Sequence, residues 1–138
     1  MYDELVRLPP GNTRSPHSVR IDLADGSQQF TLTGVIVPHL PGPGPQWQQR
    51  TLRAMIPIPG LEDGQKLAAT QWAPSVSLAA INADGAPGNP GWAIDGFDLV
   101  DPRQPADHLT LDVQTAVRDA DCRLLRMTYQ ILVVGSIV

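Results

Sequence analysis

The chain has a single cysteine, Cys122, among its 138 residues. An internal disulfide is therefore excluded, and with it every small scaffold held together by cystines. No apolar run approaches the ~18 residues that a membrane-spanning helix needs, so no membrane span is expected. Basic residues are few and scattered. Ten Lys and Arg against fourteen Asp and Glu give a formal net charge of −4. The nearest thing to a basic group, Arg118, Arg123 and Arg126, is interrupted by Asp119 and Asp121. That balance argues against a nucleic-acid footprint. The opening residues, Met1 to Arg7, lack the basic and then apolar regions of a signal peptide. The expected location is the cytoplasm of the producing cell, with later release or carriage on a virus particle left open.

Helical patterning is missing as well. The best amphipathic stretch, Leu61 to Trp72, carries Gly64 inside it and supports one or two turns at most. What the chain has instead is punctuation. Fourteen prolines and twelve glycines concentrate in Pro38–Pro45, Asp84–Gly91 and Asp101–Pro105. Proline cannot donate to a central ladder and glycine supplies turn geometry, so these stretches are connections between strands.

The last third carries the clearest pattern. Leu109, Leu111, Val113, Thr115 and Val117 alternate with Thr110, Asp112, Gln114 and Ala116. After Arg118-Asp119-Ala120-Asp121 the alternation restarts with Leu125, Met127, Tyr129, Ile131 and Val133. Period two is the signature of half-buried strands, and the short acidic link predicts a hairpin between them. Residues Ile131 to Val134 are continuously apolar, so this strand needs cover on both faces, from a second sheet or another subunit.

Earlier strands are predicted at Val19–Leu23, closed by Asp25-Gly26, and at Phe30–Val37, Leu52–Ile58, Val76–Ile81 and Trp92–Val100, the last with a possible bulge at Asp95-Gly96. The fold class is all-β: one antiparallel β-sandwich of about six to seven strands over residues 1–138, with 1–16 an irregular arm.

Catalytic patterns are weak. His17, His39 and His108 stand apart, without the short ligand spacing of a zinc site. Cys122 has no histidine near it in sequence and no nucleophile elbow is present. No catalytic residue and no enzyme activity are expected. The loop from Asn82 through Asp84 and Asn89 to Trp92 and Asp95 concentrates oxygen-bearing side chains beside an aromatic ring. Such groups suit sugar hydroxyls under a stacking ring, or a hard cation such as calcium; a long solvated turn is the simpler account of them. No cofactor is required. Trp47, Trp72 and Trp92 fall at predicted loop–strand junctions, where indoles cap a sandwich core or stand out as stacking and subunit contacts.

Three segments carry a resemblance. Ala73-Pro74-Ser75-Val76-Ser77-Leu78, Gly96-Phe97-Asp98-Leu99, and the pair Leu111–Ala120 with Ile131–Gly135 are similar to strands of the H-type lectin domain. The resemblance covers residues 72–135. It implies a six-stranded antiparallel sandwich that forms trimers and holds sugar near subunit contacts, with Arg118 and Asp119 the loop residues inside a matched segment. Two functions are expected from residues and resemblance together. One is a non-enzymatic carbohydrate-binding module acting as a homo-oligomer, a trimer by preference. The other is a structural component of a virus particle or similar assembly, such as a decoration, tail or fibre protein.

Overall fold

The computed structural model describes residues 2, 4–38, 40–42, 46–82, 91–118 and 122–138, with backbone alone at 40–42, 81–82 and 122–124. Among the described residues nine strands follow in order: β1 (Leu5–Arg7), β2 (Thr13–Asp22), β3 (Gln28–Ile36), β4 (Leu40–Gly42), β5 (Gln48–Pro57), β6 (Leu67–Asn82), β7 (Gly91–Leu99), β8 (His108–Arg118) and β9 (Cys122–Ile137). The first sheet runs β1-β5-β8-β7. In the second, β2 pairs with β3, β3 with β9, and β9 with β6. The short β4 continues along the edge of β9 that β3 leaves, because Arg123 and Leu124 pair with β4 on one side and β6 on the other. Among the described strands only β1, which runs parallel to β5, departs from antiparallel pairing. The all-β sandwich expected from the alternation is the architecture found.

The alternating residues become the core. Phe30, Leu32 and Ile36 of β3 and Met127, Ile131 and Val133 of β9 are fully buried against Leu52 and Ile56 of β5 and Leu111, Val113 and Val117 of β8. Each such side chain contributes about 1.5–3 kcal/mol of burial. Thr115 is the one polar residue among them, and its hydroxyl donates to the Arg50 carbonyl at 3.3 Å.

Four expectations are corrected. The C-terminal strands are not a hairpin: β8 pairs with β5 and β7 in the first sheet, and β9 with β3, β4 and β6 in the second. Each strand is interior to its own sheet, and their apolar faces meet across the core instead of lying side by side. The arm 1–16 is partly regular. β1 pairs with β5, and β2 begins at Thr13 and runs through Pro16, which an edge strand tolerates. The stretch Leu61–Trp72 holds no helix: Gly64 turns with φ +83°, and Leu67 and Ala69 are buried at strand spacing in β6. Trp72 consequently lies inside β6 rather than at a junction, packed against the core.

The five edge strands among the described residues resist further pairing, β4 because it has three residues, one of them Pro41. β2 carries Pro16 and a register shift between Arg14 and His17, and β6 carries Pro74 and three shifts. β7 is bulged between Ile94 and Gly96, at the position expected from sequence, and β1 has three residues.

Candidate functional site

The expected binding loop is only partly within the described residues. Asp84, Asn89 and Asp119 lie outside them. Asn82 ends β6, in register with Arg123. Trp92, Asp95 and Arg118 are described, and the topology brings two of them to one end of the first sheet. Gly91 and Arg118 are register partners, and Trp92 pairs with Val117. Asp95 sits at the bulge, exposed, three residues along β7 and about 10 Å from Trp92. It does not join the other two.

Trp47 does. The Arg118 guanidinium lies 4.7 Å from the centroid of the Trp47 ring, close enough for a cation–π contact. The same ring extends over Gly91, where a Cβ would meet its Cη2 at 2.7 Å. Trp47, Arg118 and Gly91 thus make one patch on the outer face of the first sheet. Trp92 points to the opposite face of that sheet, as its partner Val117 does. Both indoles remain accessible, Trp47 at 43% and Trp92 at 41%. No sequence spacing connects Trp47 with Arg118; only the β5–β8 register does.

Among the described residues, no three His, Cys, Asp or Glu side chains gather as a metal site. No described helix is long and apolar enough to cross a membrane. One polar cleft of about 340 Å³ is lined by Arg7, Arg53, Asp101, His108 and Thr110, among others. Two of its lining side chains are already paired. Arg53 donates to both carboxylate oxygens of Asp112 at 2.8 and 2.9 Å, and His108 Nδ1 lies 2.8 Å from Asp107. That contact holds the Asp107 carboxyl below its usual range. A second cleft, about 420 Å³, lies beside Trp72, with Arg103 5.3 Å from the indole centroid.

The least expected surface is the outer face of the second sheet. Registered residues of adjacent strands share a face, so it can be read row by row across β2, β3, β9 and β6. The row His17, Thr33, Gln130, Ser75 comes first. Next is Val19, Thr31, Leu132, Ala73, and then Ile21, Gln29, Val134, Gln71. These three rows hold no Asp, Glu, Lys or Arg. A fourth row adds Val35, Thr128 and Ser77, with Arg14 at its β2 corner. Val19, Ile21 and Leu132 are 52, 49 and 39% exposed. The alternation of Val19 with Ile21 marks a strand correctly, but their side chains face out, not in. The opposite outer face carries the charged row Arg7, Arg53, Asp112, Asp98.

The chain matches no protein-family model, no curated protein and no solved structure.

Proposed function

We propose that this chain is a non-enzymatic assembly module that works as a homo-oligomer, its copies meeting through one sheet face. The observation that carries this reading is the outer face of the second sheet, four strands wide and free of charge over three rows. Burying a charged side chain without a partner is costly, and copies of net charge −4 repel one another. A face bearing neither sign is where such copies meet at least cost. Exposed Val19, Ile21 and Leu132 supply the favourable term. A decoration, tail or fibre component of a virus particle is one setting for such a module. Sedimentation velocity over a dilution series tests the reading. Reversible, concentration-dependent association is the expected result; a monomer at every concentration overturns it.

A second reading, lectin-like carbohydrate binding, is favoured by the accessible indoles of Trp47 and Trp92 at one end of the first sheet, with Arg118 against the former. Sugar rings stack on such surfaces, and an oligomer would multiply weak sites. A glycan array screened with calcium and again with a chelator tests it. Binding that Trp92→Ala abolishes supports this reading, and a clean negative from the folded oligomer removes it.

A further inference from the structure

We infer that the occupant of the uncharged face is a second copy, related by a two-fold axis parallel to the strands, so that β2 of one copy lies over β6 of the other. The inference rests on the assembly reading above and specifies its geometry.

The edges come first. Proline, register shifts, a bulge or shortness blunts each edge strand, so copies meet face to face rather than by extending a sheet. Size is sufficient. Four strands at about 4.8 Å and three uncharged rows at about 6.8 Å give about 400 Å² per copy, and the fourth row, with Arg14 at its corner, brings the pair to about 1,000 Å², the lower bound of a specific interface.

Shape then selects the axis. Near β6 the face holds a shallow apolar depression of about 160 Å³, lined by Gln71, Trp72, Ala73, Leu132 and Val134. At the other side Val19 and Ile21 project from β2. Knob and depression occupy the same two rows: Val19 shares a row with Leu132 and Ala73, and Ile21 shares one with Val134 and Gln71. Rotation about an axis parallel to the strands, passing between β3 and β9, exchanges left and right and preserves height. It sets Val19 and Ile21 of each copy over the other's depression, twice. Rotation about an axis across the strands would stack knob on knob and leave both depressions unfilled. The chosen arrangement is isologous and closes at two copies, where the lectin resemblance implied three.

Cross-linking with a short bis-maleimide tests the geometry. Peptide mapping identifies the joined cysteines, so Cys122 stays in place. Val19→Cys combined with Ala73→Cys is expected to give a covalent dimer joined between positions 19 and 73. Val19→Cys alone should not link through position 19, because the two copies of that residue are three strand spacings, roughly 14 Å, apart sideways in addition to the sheet separation. Linkage between two copies of position 19, or a solution dimer in which 19 and 73 never join, overturns the axis. A chain that is monomeric throughout overturns the assembly reading itself.

Discussion

Tyr129 on β9 lies across its register partner Gly34 on β3, with the phenol ring in the space that a Cβ at position 34 would occupy. The ring therefore exists in the core only because residue 34 has no side chain. Gly34→Ala is expected to cost about 2 kcal/mol, the scale of overpacking a core. In a Tyr129→Ala background the same change should cost far less. A double-mutant cycle by urea unfolding measures that coupling.

The Tyr129 hydroxyl is buried and finds no hydrogen-bond partner among the described residues. Desolvation alone pushes its pKa from 10.0 up to about 12. The folded value lies above the unfolded one, so this group's contribution is fully present below about pH 10 and falls away as pH rises towards 12. Tyr129→Phe should abolish that alkaline loss. It should also raise stability near neutral pH by about 1 kcal/mol, by deleting an unpaired buried hydroxyl. Unfolding of both proteins near neutral pH and at about pH 11 checks the sign.

Ile131 and Leu132 are chain neighbours on opposite faces, the first fully buried and the second 39% exposed. Ile131→Ala should cost about 3 kcal/mol and Leu132→Ala under about 0.5 kcal/mol in the monomer. Equal costs in a dilute sample would mean that the faces of β9 are assigned wrongly.

On the other sheet, Arg7 and Arg53 are register neighbours, and the paired hydrogen bonds from Arg53 to Asp112 offset their repulsion. The Asp112 hydrogen bond is also the main reason the Arg53 pKa is raised. Asp112→Ala should cost about 1–2 kcal/mol, since bidentate charged contacts exceed ordinary surface pairs. Thermal unfolding in low salt should show the loss, with the gap between the two proteins narrowing as salt rises.

Period two in the sequence identified which residues of β8 and β9 share a face, and those residues are the core. It could not identify neighbours. Two alternating strands joined by a short link are compatible with a hairpin or with a crossing between sheets, and the choice depends on β3, β5, β6 and β7. Alternation also leaves open which face is covered at an edge strand, which is why Val19 and Ile21 turned out to face solvent. The uncharged face was half legible, in the unbroken Ile131–Val134 run that required cover on both sides. Its other half is spread over β2, β3 and β6 and becomes visible only through the register. The Trp47–Arg118 contact likewise joins distant segments through β5 and β8, and the accessibility of Trp92 was not legible either, since an indole at a loop–strand junction can cap the core or stand out.

Light scattering on matched samples of the wild-type chain, Leu132→Lys and Gln114→Lys tests the central claim most directly. Leu132 lies on the uncharged face of the second sheet, and Gln114 is an exposed residue on the outer face of the first. The account predicts an oligomer for the wild type and for Gln114→Lys, and a monomer for Leu132→Lys with its fold intact. The same mass for both variants would contradict it.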